Sequence, residues 1–245
     1  MAGDVVDFQE AKDQKEGRKA KISVSLRNVS RSCRKEILRT HSYHAFWLGG
    51  VSEKQYAELL YAHYRIRQTL ESLFDDLGGI SKVCDVISNE QKVFDLKRYV
   101  TDKRSKSKQL QQDIEELESR LGVRCSKLPD KAQEIIDYMT RVHQVYSTAL
   151  LGILYMLEET VIYAGPGIAK VLDQHLNLDG RATGYLRGSS EQKADLWEFR
   201  KSLDLITDFQ TQANIVIAST ITYRMYRELL DPHPVVSASR PGLFH

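Results

Sequence analysis

The chain has 245 residues, enough to bury a substantial core as one large domain, with 42% hydrophobic and 28% charged residues, ordinary proportions for a globular protein. A formal net charge of +2 gives no global reason to expect a nucleic-acid partner. Three widely spaced cysteines (Cys33, Cys84 and Cys125) match neither a disulfide framework nor a zinc-ligand spacing. Met1 to Lys21 is charged and carries no apolar signal region. No run of about 18 apolar residues stands out, so the expectation is a cytoplasmic chain without a membrane span.

In chain order, residues 1–20 are polar and read as a disordered N-terminus. A helical domain is expected over 21–231, with 232–245 as a C-terminal tail. The first helix is expected from about Ile22 to Phe46, because Leu26, Val29, Cys33 and Ile37 recur at spacings of three and four. Eight basic residues between Arg18 and Arg39, against the single acid Glu36, make this region locally positive. Such a run suits phosphates or carboxylates, or is simply a solvated helix face.

Ser52 with Gln55 predicts a capping box opening a second helix. That helix carries Tyr56, Leu60, His63, Tyr64, Leu70 and Phe74 on one face and stops at Gly78-Gly79. A third helix is expected over 80–98. A charged surface helix follows within Thr101–Leu121, with one apolar seam of Leu110, Ile114, Leu117 and Leu121. Pro129 opens a long helix reaching about Tyr163, whose second half is apolar nearly all round and therefore central to the core. Proline lacks an N–H and clashes with the preceding turn, so Ala164-Gly165-Pro166-Gly167 is expected to interrupt it. A short helix over Ile168–His175 comes next. Ser189 with Gln192 reads as another capping box, and one last helix spans about Glu191–Leu230. The fold class is all-α, with no internal repeat and no second domain.

Three segments, in the right order and spacing, resemble the heme oxygenase family over about residues 22–230. Leu26-Arg-Asn-Val-Ser-Arg-Ser-Cys-Arg34-Lys-Glu-Ile37 is similar to that family's opening helix, L-R-x-x-T-x-x-x-H-x-x-L, and the match runs on without a gap to Tyr64 and Leu70. Leu151-Gly-Ile-Leu-Tyr-Met-Leu-Glu158, continuing to Ala164-Gly165-Pro166-Gly167, resembles the bacterial distal helix, G-x-L-Y-x-L-E-G-S-x-x-G-G. Trp197-x-Phe199 leads into the long final helix. The resemblance implies a multi-helix bundle with a kinked distal helix and heme held between that helix and the first. It implies iron taking an imidazole from the first helix, and oxidative opening of heme to biliverdin with loss of CO and iron. In that scheme a redox partner supplies electrons and the cofactor itself carries the chemistry.

The residues depart from the pattern at the iron. The ungapped register puts Arg34 in the histidine position, and a guanidinium has no lone pair for a metal. His41 and His44, seven and ten residues on, are the candidate substitute ligands, His41 lying about 10 Å further along the axis; the other reading of both is an ordinary polar or partly buried imidazole. Glu158 and Glu159 stand near the family's distal carboxylate. One of them orders water beside a ligand, or Glu158 faces solvent or a basic partner across the bundle. Glu159-Thr160 replaces the family's Gly-Ser, and bulky Ile162 and Tyr163 precede Gly165. Aligning Gly165 and Gly167 with the distal glycines takes one extra residue, and Tyr163 is expected to fill space that oxygen needs. By the resemblance, Arg27, Arg31, Arg200 and Lys201 would hold heme propionates, with a plain surface role as the other reading. His63 is expected to be a hydrogen-bonded core residue.

Two functions follow from this pattern. One is a heme-oxygenase-like protein with weak or no heme-cleaving activity, acting as a binding or regulatory module for heme, another tetrapyrrole or a protein partner. The other is an active heme oxygenase with a replaced iron ligand. Carboxylate–histidine pairs at the spacings of a di-iron oxidase are absent from the sequence.

Overall fold

The computed structural model describes residues 21–40, 44–45, 48, 50–77, 106–122, 124, 127–128 and 129–230. The expected tails 1–20 and 232–245, the helix over 80–98, and His41 lie outside the described residues. Those residues form eight helices and no strand: α1 (Ile22–Ile37), α2 (Glu53–Asp76), α3 (Lys106–Leu121), α4 (Asp130–Tyr146), α5 (Leu150–Leu176), α6 (Gly184–Arg187), α7 (Ser190–Leu203) and α8 (Phe209–Leu230).

The apolar spacing of each helix finds its partner. Leu26 and Ile37 of α1 are buried with the inner faces of α2, α4, α5, α7 and α8 in one main core. The seam of α3 buries Leu110, Ile114 and Leu117 in a second core with Tyr56 and Leu60 of α2, Val161 of α5 and Tyr185 of α6. Helix α5 runs between the two. Every residue from Leu150 to Glu159 is buried, and each large apolar side chain there contributes roughly 1.5–3 kcal/mol. The helical stretch over 130–176 is long and apolar enough to pass as a membrane span, which the sequence reading had not expected. However, 72% of its apolar window is buried inside the bundle, so its apolarity is that of a core element.

Several boundaries differ from expectation, each for a local reason. Helix α1 ends at Ile37 rather than Phe46; the Thr40 hydroxyl and N–H both donate to the Ile37 carbonyl, satisfying a helix-end acceptor. The break expected at Ala164–Gly167 occurs upstream instead. A single 3-10 turn, Ser147–Ala149, separates α4 from α5, and α5 continues through Pro166. The proline leaves the Ile162 carbonyl without its helical donor, yet packing on both sides keeps the chain helical. The last helix is two helices, because the chain turns over 204–208 before α8. Ser52 and Gln55 make the full capping box. Ser189 caps α7 without any side-chain bond, so the second expected box is not formed.

Two glycines set helix spacing. A Cβ on Gly152 would lie 2.0 Å from the Ile215 carbonyl oxygen, so α5 and α8 touch backbone to backbone there. A Cβ on Gly165 would lie 2.3 Å from the Leu186 carbonyl oxygen. Gly165 therefore serves close packing of α6 on α5, not the approach of a ligand from the α1 side. Gly167 is half-buried on the same helix.

Candidate functional site between the first helix and the distal helix

Two consecutive carboxylates of α5, Glu158 and Glu159, are both buried and are 100° apart around the helix axis, so they reach different neighbours. Glu159 faces α1, α7 and α8. Its Oε2 accepts a short hydrogen bond from the Ser30 hydroxyl and another from Tyr223 at 2.6 Å. Its Oε1 lies 3.2 Å from an Arg34 guanidinium nitrogen and 3.6 Å from one of Arg200. Ser30 and Arg34 are one helical turn apart on α1, which is why both reach a single carboxylate.

Tyr155, Glu159 and Tyr163 form a stripe at i, i+4 and i+8 along α5. The Arg34 guanidinium lies 5.1 Å from the Tyr163 ring centroid, and that of Arg200 lies 5.4 Å from the Tyr155 centroid and 5.8 Å from Tyr163. Arg200 donates to the Tyr155 hydroxyl at 3.0 and 3.2 Å and to the Tyr163 hydroxyl at 3.3 Å. Burial and the neighbouring Glu159 charge push the Tyr155 phenol up to about 12, and the same two causes, with the hydrogen bond to Glu159, hold Tyr223 well above its ordinary value. Both phenols are hydrogen-bonding neutral groups at physiological pH. Glu159 thus accepts two hydrogen bonds on Oε2, from Ser30 and Tyr223, and has two guanidinium groups beside Oε1.

Glu158 belongs to the opposite side. It pairs with Arg67 of α2 at 2.6 Å, both side chains almost fully buried, and Arg67 also donates to the Tyr185 hydroxyl at 3.2 Å. Of the two sequence readings for Glu158, the basic partner across the bundle is the one observed. Burial alone would lower the Arg67 pKa, but Tyr185 and Glu158 keep it raised and the guanidinium charged. One turn before Arg67, His63 is buried against Tyr226, with the phenol oxygen 3.0 Å from Nδ1 and in still closer contact with Nε2. Burial, then the Arg67 charge, lowers His63 to about 3, so it is a neutral imidazole.

The remaining sequence candidates separate. Arg27 is exposed and donates to the Ser23 carbonyl of its own helix, and Arg31 is exposed. Lys201 pairs with Glu198 and lies over the Trp197 ring on the outside of α7. Only Arg200 of the four propionate candidates joins Arg34, Glu159 and Tyr163. Sequence reasoning missed Ser30, Tyr155, Tyr223 and Arg67. Helical spacing from Arg34 and from Glu159 would have found the first two; the last two are set by tertiary pairing. Among the described residues, no cluster of three or more metal-ligating side chains occurs.

No protein-family model matches this chain, and no curated protein is significantly similar to it. Solved structures are. A heme oxygenase-1 from the cyanobacterium Synechocystis in complex with heme superposes with a TM-score of 0.69 at 16% identity, over 86% of this chain and 91% of that one. The heme oxygenase of Leptospira interrogans gives 0.70 at 14% identity over 87% and 100%. A heme oxygenase-2 from Synechocystis, in complex with heme and NO, gives 0.71 at 14% over 86% and 84%. At such identities the shared property is the fold: this chain has a heme-oxygenase-like, all-α bundle.

Proposed function

We propose that this chain is a heme-oxygenase-fold protein that does not cleave heme and acts as a binding or regulatory module. The observation that carries this reading is the 3.2 Å contact between Arg34 and Glu159. A flat ring between α1 and α5 needs van der Waals contact of about 3.5 Å on each face, so roughly 7 Å between the walls. The ion pair occupies that gap, and Tyr163 lies against Arg34 beside it. The residues present do not fit a heme at this position.

Electrostatics reinforces the sterics. For a ring to enter, Arg34 would leave Glu159, and a buried carboxylate would lose one of its two cationic partners while facing an apolar plane. Because Arg34 is partly exposed and Glu159 keeps Arg200, Ser30 and Tyr223, that loss adds about 1 kcal/mol to the steric obstacle. Arg34 also has no lone pair to give a metal, and Glu159 is turned toward two guanidinium groups, Ser30 and Tyr223. His41 lies outside the described residues, His44 is exposed, and His63 is engaged with Tyr226 on the other side of α5.

The test is turnover. Purified protein is mixed with hemin, an electron donor and O2, and biliverdin absorbance and CO are followed. The expected result is neither product above the level given by hemin with an inert protein. Stoichiometric biliverdin and CO would overturn the reading and make the chain an active heme oxygenase.

A further inference from the structure

The outward face of α8 differs from the rest of the surface. The fifteen residues from Phe209 to Tyr223 include no charged side chain, whereas α1, α3, α4 and α7 all carry charges on their exposed sides. Phe209 and Ile217 are each more than half exposed, and Ala213, Thr220 and Ile221 on the same side of the helix are partly exposed. Helix α4, packed beside α8, extends the apolar area. Lys131 near its start lies 3.2 Å from Glu228 near the end of α8, and Gly152, just beyond α4, meets Ile215. The two helices are therefore antiparallel neighbours, which brings Val145 and Tyr146 level with the first half of α8. Both are more than half exposed as well.

Large apolar side chains gathered on one uncharged face mark a surface that another molecule covers. The charges at the ends of the face identify that molecule. Asp208 and Arg224 are both exposed and stand eight residues either side of Val216, about 24 Å apart along the axis. Arg224 has no ion pair among the described residues, and the nearby acid Glu36 is taken by Arg227. A face that pairs with its own copy across a two-fold axis must be complementary to itself. Reversing α8 about Val216 exchanges the acid with the base, so each charge meets its opposite. The apolar residues obey the same symmetry. Ile217 falls within about 3 Å, along the axis, of the partner's Ile217, and Phe209 comes equally close to the partner's Ile221. A parallel pairing would instead set like charges opposite each other.

We infer that the outer face of α8 is a self-association surface, on which two copies of this chain pair antiparallel through Phe209, Ile217 and Ile221, with Asp208 of each opposite Arg224 of the other. Burial of the apolar side chains supplies the attraction. The two end-to-end ion pairs fix direction and register, and contribute less to affinity because they stand at the solvated rim. Tyr223, on the buried side of α8, is the residue that reaches Glu159. The pairing therefore uses the opposite face from the Arg34–Glu159 contact and is independent of whether heme binds.

Sedimentation equilibrium of the full chain is the test, with circular dichroism confirming that each variant stays helical. The expected species is a reversible dimer of twice the 28.1 kDa chain mass. Ile217→Lys sets two cations near the two-fold axis and should weaken association by roughly a hundredfold. Arg224→Glu turns both ion pairs into repulsions and should weaken it by roughly tenfold. Adding Asp208→Asn to Arg224→Glu removes the acid while keeping a side chain that caps α8, and should recover most of that loss. A chain that stays monomeric at its highest soluble concentration would overturn the inference and leave the face to a different partner. A dimer indifferent to Ile217→Lys would overturn it too, by locating the interface elsewhere. No effect of Arg224→Glu, or no recovery with Asp208→Asn, would overturn the antiparallel pairing.

Discussion

Two arginine–glutamate pairs meet at consecutive residues of α5, and they differ in what surrounds them. Arg67–Glu158 is sealed between α2, α5 and α6, with the two side chains 3% and 5% exposed. Arg34–Glu159 joins α1 to α5, with Arg34 35% exposed and Glu159 1%. The first pair has no redundancy, since Arg67 is the only cation paired with Glu158 among the described contacts. The second carboxylate has Arg200, Ser30 and Tyr223 besides Arg34. One pair therefore ties α2 to α5 in the interior, whereas the other bridges α1 and α5 at a partly exposed position.

The largest effect is expected at the sealed pair. Arg67→Met leaves Glu158 buried and unpaired, and urea unfolding should show a loss of about 3–5 kcal/mol. A loss as small as that of Arg34→Met would break the distinction between the two pairs.

Next comes acid. The folded pKa of His63, about 3, lies below the ordinary value of 6.5, so between those values the unfolded chain binds a proton that the folded chain refuses. The stability associated with His63 is complete above pH 6.5 and is lost as pH falls toward 3, at up to about 1.4 kcal/mol per pH unit. His63→Leu should flatten that part of the curve in denaturant titrations at several pH values. An unchanged slope would place the acid sensitivity elsewhere.

Smaller still is Gly165→Ala, expected to destabilise by about 1–3 kcal/mol because the new methyl meets the Leu186 carbonyl. A neutral result would mean that Gly165 does not seat α6. Arg34→Met should lower stability by only about 1 kcal/mol, since its guanidinium is partly exposed and Glu159 keeps three other partners.

Much of the bundle was readable because it depends on local rules. The α1, α2 and α3 seams, the Ser52 capping box and the core position of Leu150–Val161 all follow from 3.6-residue periodicity and cap chemistry. Pro166 misled because packing on both sides of α5 outweighs one missing hydrogen bond, while the true break at Ser147–Ala149 carries neither glycine nor proline. The position of Arg34 was legible, but what it faces was not. Inserting a residue to align Gly165 with a distal glycine hid the simpler arrangement, in which Glu159 and Tyr163, four residues apart, are the side chains turned toward Arg34. Tyr223 and Arg67 come from other helices, and nothing in local sequence brings them to α5.

The central claim is that Arg34, Glu159 and Tyr163 together fill the space a porphyrin would need. Hemin titration of the unaltered chain beside the triple variant Arg34→His, Glu159→Gly, Tyr163→Gly tests it most directly. The account predicts a broad, free-hemin-like Soret band for the first and a sharp, imidazole-ligated spectrum at one equivalent for the second. A sharp, saturating one-to-one spectrum from the unaltered chain would contradict it.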